Sequence, residues 1–367
     1  MAARHSTQGL SDDEYLLPVK CHSTLIKLRI DQETRIEGAQ VSQRMIELTM
    51  FRNKIVLFLV AFILTCTFLV CFLYTTTFKI NFMVYNSSKQ SIAKEFLLVP
   101  QSNCDEDPPF LLYLVTVSHH QSKEHNAICH TWGRDQRIAG KRIVAYFLLG
   151  YDPIYQSTIL NESHYYGDII QKNFTDTYDN LTLKVLMGIK WVRELCPLAT
   201  FVMKTDSDMF VNTYYLTELL LGKNQDLLYT GHIKVEEKPI RDPKSKWFMA
   251  EEDYPNSTYP PFCSGTGYVF SGALAGKIIT VSKRIPILRL EDVYIGLCLA
   301  KLNVTPVELY SSRIFYDFKV KFSACKLQKI VPSHGVFPDE ILMYWKALGE
   351  NSKEECSEKK TKEFQWT

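Results

Sequence analysis

The chain has 367 residues, 46% of them hydrophobic and 22% charged, with 42 basic against 40 acidic side chains for a formal net charge of +2. This composition excludes a wholly disordered chain and leaves room for one large core or two small ones. The near-neutral balance offers no basic face to displace counterions from phosphates, so no nucleic acid is expected as a partner.

Residues 1–54 carry eight basic and seven acidic side chains with little apolar periodicity and read as a flexible cytoplasmic tail. Residues 55–78, IVLFLVAFILTCTFLVCFLYTTTF, are 24 positions without a charge. A helix rising ~1.5 Å per residue needs about 20 such residues to cross a bilayer core, so an uncleaved signal-anchor is expected. Arg44, Arg52 and Lys54 precede the stretch without a denser basic cluster beyond it, which keeps the N-terminus cytoplasmic. All six Asn-X-Ser/Thr triplets follow it, at Asn86, Asn161, Asn173, Asn180, Asn256 and Asn303, as luminal glycosylation requires. So do seven of the ten cysteines, Cys104, Cys129, Cys196, Cys263, Cys298, Cys325 and Cys356. None is spaced for zinc, so in an oxidising lumen disulfides are the default, and the odd number leaves a thiol free or bonded to another chain.

Residues 79–108 read as a polar stem ending at Asp105-Glu106-Asp107-Pro108, before a domain over 109–350 and a C-terminal tail over 351–367. FLLYLVTVS (110–118) and RIVAYFLLG (142–150) have the length of buried strands and are separated by a stretch able to form a helix, a βαβ beginning. In NLTLKVLMGIKWVREL (180–195) Val185, Ile189 and Val192 fall at helical spacing, Asp179 or Asn180 is available as cap, and Cys196-Pro197 stops the helix. TFVMKT (200–205) is the next strand and runs directly into Asp206-Ser207-Asp208.

Carboxylates at the carboxyl end of a central strand open into the crevice where α/β sheets bind ligands. Asp206 and Asp208 could hold Mn²⁺ or Mg²⁺ there, or simply form an exposed turn. PPFCSGTGYVFSG (260–272) places Gly265 and Gly267 where backbone can approach a ligand, or make a turn between strands. Glu291-Asp292 opens an amphipathic helix in which Val293, Gly296 and Leu297 share a face. Acids at that position complement the helix dipole, and one of them, half-buried in a crevice, could act as a general base. His334, in VPSHGVF, could be a metal ligand or a surface imidazole.

Together FLLG (147–150), YGDIIQKNFTDTYDNLTLK (166–184), FVMKTDSDMFVN (201–212), YPPFCSGTGYVFSG (259–272), LEDVYIGLCLAKL (290–302) and SHGVF (333–337) resemble the β-1,3-glycosyltransferases of the β-1,3-galactosyltransferase type, glycosyltransferase family 31. The resemblance runs from about Phe110 to Trp345. It implies a single-pass type II Golgi membrane protein whose luminal domain has the GT-A α/β fold, a mixed sheet flanked by helices, and uses a UDP-sugar and Mn²⁺. Carried over by motif, Asp206, Asp208 and His334 would hold the metal, Asp206 also touching the donor, and Asp292 would be the catalytic base with Glu291 as its neighbour. Lys184, Asp176, Thr131 and Trp132 would lie near the donor, and Trp247, Tyr254 and a Gly265-Thr266-Gly267 turn near the acceptor or donor.

The implied reaction moves galactose from UDP-galactose, with inversion, to the 3-hydroxyl of a terminal N-acetylglucosamine or related hexosamine on a glycoprotein or glycolipid. UDP-N-acetylgalactosamine or UDP-N-acetylglucosamine is the alternative donor. The resemblance departs at His125 and Cys129, in HNAICHTWG (125–133), where the family pattern RxAIRxTWG carries arginines. That departure keeps open a catalytically weak, sugar-binding relative, or a partner of an active transferase within a disulfide-linked or Golgi-complex oligomer.

Overall fold

The computed structural model describes residues 21–223 and 226–350, so the whole of the expected C-terminal tail, with Cys356, and residues 1–20 of the expected cytoplasmic tail lie outside the described residues. The chain divides between Val84 and Tyr85 into two compact units. The first is built on helix α1 (Cys21–Ala93), which runs on past that division. Within α1, the stretch Arg35–Asn81 is long and apolar enough to cross a membrane, with mean hydropathy 3.0 in its best window and its apolar side chains exposed. Residues 21–54, expected to be an irregular tail, are helical up to the apolar run. Rich in Leu, Arg, Glu and Gln and free of proline, they have the propensity to extend the helix.

The second unit contains strands β1 (Leu111–Thr116), β2 (Gln136–Ile138), β3 (Lys141–Tyr151), β4 (Ile169–Thr175), β5 (Phe201–Asp206), β6 (Met209–Val211), β7 (Tyr229–Lys234), β8 (Phe262–Ser271) and β9 (Pro332–His334). Its helices are α2 (Ser122–Cys129), α3 (Gln156–Tyr166), α4 (Leu181–Leu195), α5 (Thr213–Leu220), α6 (Leu274–Ser282), α7 (Glu291–Lys301), α8 (Ala324–Leu327) and α9 (Pro338–Glu350). A mixed seven-stranded sheet runs β2-β3-β1-β5-β8-β7, with β4 also on β3. β4, β3, β1 and β5 pair in parallel, and β8 and β7 continue the sheet antiparallel. β6 and β9 form a separate two-stranded ribbon.

Strand alternation splits the core into two layers. Leu112 and Leu114 of β1, with Tyr146, Leu148, Val202 and Tyr268, face α4, α6 and α7 through Val185, Ile189, Trp191, Ile278 and Tyr294. Leu111, Tyr113 and Val115, with Phe147, Phe201 and Met203, face Trp132, Phe210, Ile330 and Tyr344 on the other side. Each side chain so buried contributes on the order of 1.5–3 kcal/mol, which is why the central strands read as unbroken apolar runs.

Three expectations change. The residues read as stem join the second unit from Tyr85: Phe96 is buried, Leu98 bridges to Gln171, and Cys104 forms a disulfide with Cys196 at the end of α4. Cross-linking across a sequence separation of 92 restricts the unfolded chain and is worth about 4–5 kcal/mol in the chain-entropy account, while the covalent bond itself ties the polar segment to α4. Neither Asp179 nor Asn180 caps α4 with its side chain: Asn180 donates to the Thr175 carbonyl and Asp179 pairs with Arg289. Finally, Gly265 and Gly267 lie within β8, not in a turn. A Cβ on Gly265 would sit 3.3 Å from the Asp292 carboxylate, and one on Gly267 would sit 3.0 Å from the Met203 side chain, so the glycines serve close packing.

Candidate active site

The carboxyl ends of β1, β3, β4 and β5 lie at one edge of the sheet, and β5 ends on Asp206. One oxygen of Asp206 accepts from Thr116 Oγ1 at 2.8 Å and from Lys204 Nζ at 2.7 Å. After the bend at Ser207, β6 pairs with β9 in a register that sets Met209 opposite His334. That pairing, together with the Val336 amide bonded to the Asp208 carbonyl, brings His334 Nε2 to 3.2 Å from Asp208 Oδ2. Asp206, Asp208 and His334 each offer a ligand atom within 4.8 Å of the others. Two carboxylates and an imidazole fit a divalent cation, and the side chains of His334 and Asp208, 34% and 46% exposed, leave coordination positions open to a ligand. Burial alone would raise the Asp208 pKa, but His334 outweighs it and holds the carboxyl below its ordinary value, while His334 is raised in return.

Behind this group lies a buried charge cluster. Lys204, 1% exposed, donates to Asp206 and to the Gly265 carbonyl at 2.5 Å, and its Nζ lies 3.4 Å from Glu291. Burial pushes the lysine pKa down, but Asp206 and Glu291 overcome that and raise it. Glu291 accepts from the Tyr268 hydroxyl at 2.5 Å. Asp292 accepts from two backbone amides, Gly265 at 3.0 Å and Val293 at 2.9 Å. Burial raises the Asp292 pKa against these two hydrogen bonds, which makes it a stronger proton acceptor than an ordinary aspartate.

Two carboxylates, Asp206 and Glu291, thus share one ammonium with Asp292 close by, and the most deeply buried takes the penalty. Glu291 is pushed up to about 7 by burial, with Asp292 adding to the shift and Lys204 and Tyr268 opposing it. A carboxyl whose folded pKa is raised stabilises the fold fully below its ordinary 4.5 and loses that contribution as pH climbs towards 7. Glu291→Gln, which mimics the protonated form, is therefore expected to flatten the fall in melting temperature across that interval. Melts of the two proteins from pH 5 to 8 test this, and parallel curves would remove Glu291 as the titrating group.

Lys204, Asp206, Gly265, Thr266, Glu291, Asp292 and His334 line a single cleft of about 490 Å³, together with Trp247, Tyr178, Lys246 and the Lys234–Asp317 ion pair. The chain matches the family described as Galactosyltransferase over residues 123–310. It is 50% identical over 264 residues to beta-1,3-galactosyltransferase 5 of Homo sapiens, covering 71% of this chain and 85% of that one. It is 49% identical over 266 residues to the Mus musculus protein of the same name, covering 71% and 85%. Against beta-1,3-galactosyltransferase 2 of Homo sapiens the identity is 43% over 270 residues, covering 72% and 64%. The chain belongs to the β-1,3-galactosyltransferase family.

In this family member the sequence candidates fall into three groups. Asp206, Asp208, His334, Glu291, Asp292, Gly265, Thr266 and Trp247 come together at the cleft. Lys184 and Asp176 pair at 2.6 Å, buried beside the ends of β1 and β3, where Lys184 donates to the Val117 carbonyl and Asp176 accepts from the Gly150 amide. They do not line the cleft itself.

Thr131, Trp132, Tyr254 and Gly267 are not brought to it either. Thr131 donates to the Ala127 carbonyl, and Tyr254 is buried against Tyr259 with its hydroxyl on the Thr258 carbonyl. Trp132, fully buried, donates Nε1 to the Met209 carbonyl at 2.9 Å, so it braces β6 from inside the core instead of facing a donor. Sequence reasoning did not single out Lys204, Thr116, Tyr268, Tyr178, Lys234 or Lys246. For Lys204 a signal existed, since a lysine set directly after the apolar residues FVM within a buried strand must find a buried partner.

Among the described cysteines beyond α1, Cys129, Cys263 and Cys298 carry free thiols, and Cys325, like Cys104 and Cys196, is disulfide-bonded. The odd count alone required one unpaired cysteine after the apolar run, and the structure leaves at least these three as free thiols.

Proposed function

We propose that the protein is a type II Golgi membrane enzyme of GT-A fold that transfers galactose from UDP-galactose in β-1,3 linkage to a terminal N-acetylglucosamine or related hexosamine. The observation that carries this reading is one cleft holding both the Asp206–Asp208–His334 group and the Asp292 carboxylate. Exposed Asn161, Asn173, Asn256 and Asn303, all after the apolar helix, suit luminal glycosylation, whereas Asn180 is half-buried and its amide is engaged.

Asp292 takes the proton of the acceptor 3-hydroxyl as that oxygen forms its bond to the anomeric carbon. The bond from that carbon to the UDP oxygen breaks on the opposite face, so the configuration inverts and the electron pair leaves with the diphosphate. The two amides on Asp292 fix both oxygens in place while leaving each with a further lone pair to receive the proton. Asp206, clamped by Thr116 and Lys204, together with Asp208 and His334 would hold Mn²⁺, whose chemistry when bound is to neutralise negative charge on the departing diphosphate. Lys246 adds positive charge at the cleft, Lys234 being paired with Asp317 at 2.9 Å, and Trp247, 56% exposed, offers a flat apolar face of the kind on which a sugar ring can stack.

Detergent-solubilised full-length chain, incubated with UDP-galactose, UDP-N-acetylgalactosamine or UDP-N-acetylglucosamine and a β-N-acetylglucosaminide acceptor, is expected to release UDP fastest from UDP-galactose. Preference for another UDP-sugar would reject the donor assignment. Chelation is expected to stop transfer and added Mn²⁺ to restore it. His334→Ala should raise the Mn²⁺ concentration needed for half-maximal rate at least about tenfold, and an unchanged metal dependence would remove His334 from the site.

A further inference from the structure

A second cluster of metal-ligating side chains lies at the amino end of β4, the end opposite Asp176. His125 and Cys129 stand one helical turn apart on α2. Gly167, in the left-handed region at φ 67°, ends α3 and delivers Asp168 to the start of β4. His125 is 3% exposed, with the rings of Phe147 and Tyr166 packed against it at 3.9 and 4.5 Å. Its Nε2 lies 2.9 Å from Asp168 Oδ2, and Cys129 Sγ lies 3.4 Å from the same oxygen. Its Nδ1 is bonded to the Glu162 carboxylate from α3. The other Asp168 oxygen is buried with no hydrogen-bond partner among the described residues.

We propose that His125 Nε2, Cys129 Sγ and the Asp168 carboxylate form a zinc site, with Glu162 accepting the Nδ1–H of His125. The cleft group holds only oxygen and nitrogen donors, whereas this cluster adds a thiol, and a mixed nitrogen, sulfur and carboxylate set suits zinc. Zinc bonds of ~2.0–2.3 Å imply ligand separations of roughly 3.3–3.8 Å, so the observed 2.9 and 3.4 Å need only small adjustment. A histidine ligand characteristically donates its second ring N–H to a carboxylate, which is the place Glu162 holds. As the zinc–sulfur and zinc–nitrogen bonds form, the Cys129 thiol proton and the Nε2 proton pass to water.

His125 sits between two carboxylates, Glu162 on Nδ1 and Asp168 on Nε2, so the pocket holds more acidic than basic side chains. That surplus of negative charge favours a cation. The site ties α2 to α3 and β4, and it is independent of the cleft and of the transfer reaction.

The test is titration of the detergent-solubilised full-length chain, purified without an immobilised-metal step, with Co²⁺ and then Zn²⁺. The expected result is a thiolate-to-cobalt charge-transfer band that saturates at about one equivalent, over and above any Co²⁺ taken by the cleft group, is displaced by Zn²⁺ and is absent in both Cys129→Ser and Asp168→Asn. Glu162→Gln should weaken zinc about 10–100-fold, and Cys129→Ser should keep galactosyl transfer. The cleft group contains no sulfur, so it cannot produce the band. A plain histidine–carboxylate ion pair would give no such band and a melting temperature insensitive to zinc, and either of those results overturns the site.

Discussion

Asp292→Asn is expected to lower turnover by about 10²–10⁴-fold, the range for removing a positioned general base, while the protein still folds. The substitution keeps the shape but replaces one acceptor oxygen with an NH₂ group. Both partners of Asp292, the Gly265 and Val293 amides, are donors, so one of them loses its acceptor. A buried donor left unpaired costs about 1–3 kcal/mol, which predicts a modest drop in melting temperature beside the large loss of rate. UDP release with acceptor present, measured beside a thermal melt, separates the two effects. Undiminished turnover would end the assignment of Asp292 as base.

The second large effect is on the buried lysine. Lys204→Met removes the single ammonium shared by Asp206, Glu291 and the Gly265 carbonyl. Breaking a buried ion pair from one side costs about 3–5 kcal/mol because the remaining charges stay desolvated. Loss of turnover should accompany it, since Asp206 keeps only Thr116 to hold its carboxylate. Adding Glu291→Gln to Lys204→Met should recover part of the stability by deleting one stranded charge, without recovering turnover. Denaturant midpoints of the two single variants and the double variant give the coupling directly. Strict additivity would mean that Lys204 and Glu291 do not act on one another.

Most of the framework was legible from periodicity. The runs at 110–118, 142–150 and 200–205 became β1, β3 and β5, and 180–195 became α4, because a strand buried on both faces must be apolar throughout and a covering helix must be apolar on one side. The stem was misread because hydropathy does not show that Cys104 will find Cys196, 92 residues away. Gly265-Thr266-Gly267 reads locally as a turn, yet the neighbours of β8 on both sides hold it extended. Trp132 sits in a motif that suggests ligand contact, while its indole N–H is taken up by the Met209 carbonyl.

By itself the sequence determined the membrane-length helix, the alternating α/β order and the residue types of the site, because these depend on local composition and on spacing along the chain. Which acids share a cleft was decided only in three dimensions. The β6–β9 pairing carries His334 to Asp208 across more than a hundred residues, and β8 sets the Gly265 amide against Asp292 and its carbonyl against Lys204. Hydrogen bonds and charge pairs between distant segments form only when the packed core fixes both ends. Their geometry therefore belongs to the tertiary structure and leaves no local trace in the chain.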